Sequence, residues 1–221
     1  MAGAFPGAGD FIPARPSLKK LREAAQDCRG CDLYADATQA VMGSGPRDAP
    51  LMVVGEQPGD VEDRDGMPFV GPAGRLLDQA LSEAGIDPEE VYKTNVVKHF
   101  RFSRQGKRRI HAKPDVAHVV ACTPWLVEEL AVVEPTGVIL LGATAGRAVL
   151  GPKFRVGNDR GQLSDWPDRA LEAPAPDWVL ATTHPSAILR SRERESAHAE
   201  FVSDLRLAAD ALASTDRKSP D

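Results

Sequence analysis

The sequence predicts an α/β fold, three layers (α/β/α) around a central, mostly parallel, four-stranded sheet. Three observations predict it. Strand, loop and helix recur at least four times along the 221 residues, the pattern of strands joined by helical crossovers. The strand candidates are short apolar runs rich in Val, Leu and Ile, as strands buried on both faces are. No internal repeat and no long linker divides the chain.

Each element has its own reason. Ser17 is placed to cap a helix, LKKLREAAQDC, with Leu18, Leu21 and Ala25 on one side and Cys28 at its end. Residues 49–55, APLMVVG, read as the first strand. The Gly-, Pro- and acid-rich stretch GEQPGDVEDRDGMPFVGP follows as a long loop. Residues 73–84, AGRLLDQALSEA, carry apolar positions at helical spacing, and Gly85 suits the C-cap. Residues 91–97, VYKTNVV, form the second strand. Asp115 caps a helix running to Leu130. Residues 136–141, TGVILL, form the third strand, and Gly142 leads into the helix ATAGRAVLG. A hairpin is expected at 154–164, then a Pro-rich surface connection at 166–176. Residues 178–182, WVLAT, form the fourth strand and run into THPSAILR; the last helix covers about 195–213. The domain is therefore expected over 17–213, with a flexible tail at 1–16 and a disordered one at 214–221.

At 42% hydrophobic the chain can bury a core. No uninterrupted apolar run reaches the roughly 18 residues of a membrane span, and the N-terminus lacks the charged and apolar regions of a signal peptide. A cytoplasmic monomer with no membrane partner is expected.

Charge is unevenly spread. The net charge is −5, yet residues 98–113, KHFRFSRQGKRRIHAK, hold seven of 27 Lys and Arg residues and no acid. Such a segment is either a solvated cationic loop or a grip for phosphates, with aromatic faces interleaved. His111 stands at its far end. An imidazole among like charges tends toward the neutral form, which is a nucleophile or a base.

Three strand ends feed three polar loops, GEQPG, the basic segment and THPSAILR. In a parallel sheet such loops converge on one edge. They would bring together Glu56, Gln57, Asp60, Asn95, Arg109, His111, His184 and Ser186, with Phe69 as an aromatic wall. That set suits a small molecule or a single base. GEQPG is neither a nucleoside-triphosphate loop nor a dinucleotide fingerprint. His118 reads as structural and His198 as exposed.

Three cysteines include one C-x-x-C pair, Cys28 and Cys31, with Cys122 alone. An odd set in a reducing compartment argues against a disulfide framework, and the C-x-x-C pair signals a metal or iron–sulfur site, with a redox pair or two buried, inert cysteines as the rival readings. A fourth donor would come from His99 or His118.

GEQPG with PFVGPAGRLL, TNVVKHF and HPSAIL, together with the N-terminal C-x-x-C, resemble the iron–sulfur uracil-DNA glycosylases over roughly 18–212. Gln57 stands where that family has alanine, and His99 where it has cysteine. With the inserted KRRIH these departures resemble the UdgX-type branch. The resemblance implies excision of uracil from DNA, with single strands preferred, followed by cross-linking of His111 to the sugar C1′. Glu56 would orient or deprotonate His111, His184 would donate to the uracil carbonyl, and Gln57 and Arg109 would hold the loop. Phe69 would stack on the base and Asn95 would read its edge, with Gly55, Asp60 and Ser186 completing the pocket. Lys107, Arg108 and Arg190 would contact the DNA backbone. Cys28, Cys31, His99 and Cys122 would hold a 4Fe-4S cluster, zinc being the alternative. A conventional turnover glycosylase and a non-catalytic, metal-stabilised nucleic-acid-binding protein remain the other readings.

Overall fold

The computed structural model describes residues 5–167, 171 and 174–216. Its main sheet has five strands in the order β2-β1-β5-β7-β6. Four are the predicted parallel ones: β1 (Leu51–Gly55), β2 (Val91–Asn95), β5 (Gly137–Leu141) and β7 (Trp178–Thr182). Their burial is continuous, with one partly buried residue, Lys93, among them. The fifth, β6 (Leu163–Asp165), pairs antiparallel with β7 at the edge.

Alternate residues of the strands feed two cores. Leu51, Val53, Ile139, Leu141 and Leu180 face one cluster with α3 (Pro72–Glu83), α7 (Pro185–Arg190) and α8 (Arg194–Asp216). Met52, Val54, Val138, Leu140 and Val179 face the other, with α4 (Val116–Val133) and α5 (Gly142–Leu150). The three-layer expectation therefore holds. A third cluster packs α1 (Leu18–Ala25), Cys28 and Cys31 against the far side of α4, which contributes Cys122 and Trp125. By length and composition alone α4 is apolar enough to cross a membrane. Its apolar girth has a packing reason, because it lies between two clusters and cannot be one-sided.

Several boundaries differ from expectation. The expected hairpin at 154–164 is the short helix α6 (Val156–Asp159) followed by β6, whose partner is β7. The Pro-rich connection at 166–176 lies partly outside the described residues. Its first residue, Trp166, is buried in the second cluster, where an indole gains more than at the surface. From Phe5 on, the segment expected as a loose tail is packed. Ala8 is buried and donates its amide N–H to Ala121 O at 2.8 Å, and Phe5 lies against His118. The expected tail at 214–221 falls outside the described residues from 217, and α8 reaches Asp216. The long acidic loop contains one helix, α2 (Asp60–Asp65).

The basic segment is not a loop. It is an antiparallel hairpin, β3 (Phe102–Gln105) and β4 (Arg108–His111), pairing Phe102 with His111 and Arg104 with Arg109. Gly106 supplies the positive φ of +60° at the turn, which a side chain would strain.

Candidate active site

The strand order reverses at β1, which has β2 on one side and β5 on the other. The carboxyl ends beside such a switch point leave a crevice. Here it is a cleft of about 720 Å³. Glu56, Gln57 and Asp60 enter it after β1, Asn95 from the end of β2, Gly142 from α5, and His184, Ser186 and Arg190 from the α7 region. Phe69 forms a wall and His111 reaches in from β4. The polar set expected at the three strand ends is brought together, except that Arg109 does not line the cleft.

Glu56 and His111 meet directly. Glu56 Oε1 lies 3.4 Å from His111 Nε2, and the other carboxylate oxygen accepts the hydroxyl proton of Thr144. The His111 side chain is 51% exposed and that of Glu56 21%. The imidazole is therefore reachable while the carboxylate is held.

His184 is set differently. It is the N-cap of α7, and its Nδ1 accepts the backbone N–H of Ser186 at 3.1 Å. That leaves the proton of a neutral ring on Nε2. Burial first, then the neighbouring His111 and Arg190, push its pKa down to about 4. A neutral imidazole with one N–H donor results. The cap is thus His184; Ser186 supplies only its amide.

Gly55 ends β1 under Asn95 and Phe69. A Cβ there would lie 2.4 Å from Asn95 Oδ1 and 2.8 Å from the Phe69 ring tip. Glycine lets both side chains close on the cleft. Phe69 itself has a φ of 58°, an unusual left-handed conformation for an aromatic residue.

Two clamps hold the hairpin. Gln57 donates to Arg101 O and Ala112 O, each at 3.1 Å, and accepts the Arg101 N–H at 3.0 Å. One carboxamide thus ties both ends of the hairpin. Arg109 pairs with Asp60 and, at 2.6 Å, with the fully buried Asp63, and donates to the Thr38 hydroxyl. Asp60, expected as a pocket group, is an anchor for Arg109.

The basic segment is less cationic in effect than in sequence. Lys98 is fully buried against Glu129 at 2.5 Å, Arg101 pairs with Asp115 at 2.7 Å, and Arg109 is bound as above. Exposed Arg104, Lys107, Arg108 and Lys113 have no acidic partner among the described residues. Lys107 and Arg108 sit at the hairpin turn, and exposed Arg190 ends α7 beside the cleft.

Cys28, Cys31 and Cys122 are buried free thiols in the third cluster. Burial pushes Cys122 up to about 12 and Cys31 upward. Cys122 Sγ accepts the Lys98 N–H at 3.2 Å, and Cys28 Sγ accepts the Trp125 indole N–H at 3.4 Å. His99 is buried and neutral, its pKa pushed down to about 4 by burial. These donors fit an iron–sulfur cluster or zinc in kind, since N–H groups aimed at sulfur also support thiolate ligands. As packed here, no three His, Cys, Asp or Glu side chains among the described residues are drawn into a ligand set. His118 is engaged elsewhere, bonding Asp32 at 2.9 Å and the Asp115 N–H at 3.1 Å. His198, expected exposed, reaches Glu83 at 2.9 Å and ties α8 to α3.

Thr144, Asp63, Thr38 and Glu129 had no sequence assignment. Thr144 follows a strand end in LGATAG, which is the signal that could have found it.

The arrangement is that of a three-layer α/β protein with a polar cleft at its switch point and a cationic hairpin on the rim. The model of the Uracil DNA glycosylase superfamily matches residues 42–206. A Type-4 uracil-DNA glycosylase of Thermotoga maritima is 37% identical over 179 residues, covering 80% of this chain and 86% of its own. One of Pyrobaculum aerophilum is 34% identical over 188 residues, covering 85% and 91%. Another, of Archaeoglobus fulgidus, is 32% identical over 193 residues, covering 84% and 90%. The chain belongs to the uracil-DNA glycosylase superfamily.

Proposed function

We propose that this protein is a uracil-DNA glycosylase of the UdgX type, which excises uracil from DNA and is then trapped through His111 on the sugar C1′. Type-4 uracil-DNA glycosylases as relatives support the excision. The observation that carries the trapping is the contact of His111 Nε2 with Glu56 Oε1 at 3.4 Å, inside the cleft that also holds His184. A nucleophile beside a base that a third group orients is the usual plan of covalent catalysis.

Flipping a uracil out of the stack costs a few kcal/mol. Phosphate contacts from the exposed cations Lys107, Arg108 and Arg190 offset it. Phe69 stacks on the ring, with Asn95 on its polar edge. As the C1′–N1 bond breaks, the electron pair leaves with uracil, and His184 Nε2–H donates to the carbonyl oxygen that gains charge. A donor placed this way accounts for about a hundred- to a thousandfold in rate. A lone pair of the His111 imidazole bonds to C1′. Glu56 accepts the ring proton that the alkylated imidazolium sheds, which leaves a neutral sugar–imidazole. Gln57, Asp60 and Arg109 act by keeping the hairpin, and so His111, over the cleft.

Cys28, Cys31, Cys122 and His99 would hold a 4Fe-4S cluster. Its contribution would be structural, pinning the root of the hairpin, where His99 follows Lys98. The protein would work as a cytoplasmic monomer on single-stranded DNA.

Incubation with a uracil-containing single-stranded oligonucleotide tests the reading. A protein–DNA species that survives hot detergent on a gel is expected, and His111→Ser should abolish it. Free abasic product over many turnovers would overturn the covalent step. Salt-sensitive binding without base loss would overturn the enzyme.

A further inference from the structure

Glu56 carries one half of the proposed chemistry, and its orientation is set from outside the loop that bears it. We infer that Thr144 is a positioning residue, whose hydroxyl fixes the Glu56 carboxylate so that Oε1 is presented to His111. This rests on the reading of Glu56 and His111 given above.

The hydroxyl of Thr144 donates to Glu56 Oε2, while Oε1 lies 3.4 Å from His111 Nε2. The two oxygens are thus divided between two partners. Thr144 is 7% exposed and lies in the first turn of α5, directly after β5. Glu56 follows β1, the neighbouring strand. The bond therefore crosses the switch point and ties the two walls of the cleft together. First-turn backbone N–H groups also favour an anion nearby. A Ser or Thr hydroxyl can supply such a bond, while Val keeps the shape and loses the donor. Without it the terminal torsion of Glu56, which is broad and soft, is free to turn Oε1 away from the imidazole.

Hydrogen bonds to a charged group are the strong ones, so Thr144→Val should slow the single-turnover rate of adduct formation by about ten- to a hundredfold. The half-saturating DNA concentration should stay unchanged, because Thr144 faces Glu56 and not the DNA. Thr144→Ser should restore the rate, and Thr144→Val should add nothing in a Glu56→Gln background, where the carboxylate is already gone. Melting temperatures of all variants are measured alongside. If Thr144→Val proves unfolded, Thr144→Ala takes its place in the same comparison. An unchanged rate in Thr144→Val, a Thr144→Ser as slow as Thr144→Val, or equal slowing with and without Glu56→Gln would each overturn the inference. Failure of the trapping reading looks different. The wild-type protein would then release uracil without forming an adduct, and the same variants are compared on uracil release.

Discussion

Glu129 gives the clearest stability prediction. Its carboxylate is fully buried and accepts from Lys98 Nζ at 2.5 Å, Thr94 at 2.8 Å, Tyr92 at 3.0 Å and the Gly43 N–H at 2.7 Å. Its partner Lys98 is equally buried and donates further to Asn95 O at 2.6 Å and to Thr94 at 2.8 Å. Glu129→Ala would leave an ammonium with no anion and take the carboxylate acceptor from three further donors, the Thr94 and Tyr92 hydroxyls and the Gly43 N–H. Breaking such a buried pair costs about 3–5 kcal/mol. At about 2–4 °C per kcal/mol for a chain of this size, the melting temperature should fall by on the order of 10 °C. Glu129→Gln keeps an oxygen for the neutral donors but leaves the ammonium facing an uncharged amide, so it too should lose stability. Adding Lys98→Met then removes the unpaired charge, and the double variant should melt above Glu129→Gln alone. The assay is thermal unfolding followed by circular dichroism at pH 7. If the double variant melts below Glu129→Gln by the full cost of Lys98→Met alone, the two groups are not coupled and the ion-pair argument fails.

Gly55→Ala should cut the excision rate by about a hundredfold, since small displacements of positioning groups cost that much, and a Cβ would meet Asn95 and Phe69. Single-turnover kinetics check it, with a melting curve that moves little. His184 has a folded pKa lowered to about 4 against an ordinary value near 6.5. The unfolded chain therefore binds the extra proton between those values. Stability from His184 is fully present above about 6.5 and lost as pH falls toward 4. Wild type should lose melting temperature relative to His184→Asn across that window, and an unchanged difference would contradict the buried neutral ring. Binding to single-stranded DNA should weaken with salt by a logarithmic slope of about 0.7 per phosphate contact. Replacing Lys107 and Arg108 with Ala should lower that slope by about 1.4 if both touch phosphate, measured by fluorescence anisotropy from low to moderate salt.

The parallel strands were legible because strands buried on both faces leave uninterrupted apolar runs, such as LMVVG and GVILL. β6 was not, because LSD is a three-residue exposed edge strand with no apolar pattern. The basic hairpin hid for a related reason. Only Phe102, Arg109 and Ile110 within its strands are even partly buried, so charge masks the alternation that marks a strand. The cleft residues were readable from their places after strand ends. Their supports were not. Thr144 lies 88 residues from Glu56, and Asp63 lies 46 from Arg109. Thr144 reads locally as an ordinary helix residue and Asp63 as one acid of a polar loop, and only the packing of α5 and α2 reveals what each holds. The charge anomaly was half right. Lys98, Arg101 and Arg109 spend their charge inside the protein, and the turn and flanks of the hairpin keep theirs exposed.

That division bears on why an imidazole, and not water, would take the proposed step. A tethered nucleophile competes through its effective concentration, which reaches about 10⁵–10⁸ M when the geometry is right. The advantage lasts only while the tether is stiff. β4 has no neighbour in the main sheet, so it borrows stiffness from elsewhere. Gln57 binds both ends of the hairpin, Arg109 locks it to a buried aspartate, and Lys98 roots it beside α4. Three polar anchors do here what apolar packing does for a core strand. A hairpin of the same sequence without them would still carry the cations and still bind DNA. It would present His111 as a solvated side chain, and water would then reach C1′ as readily as the imidazole.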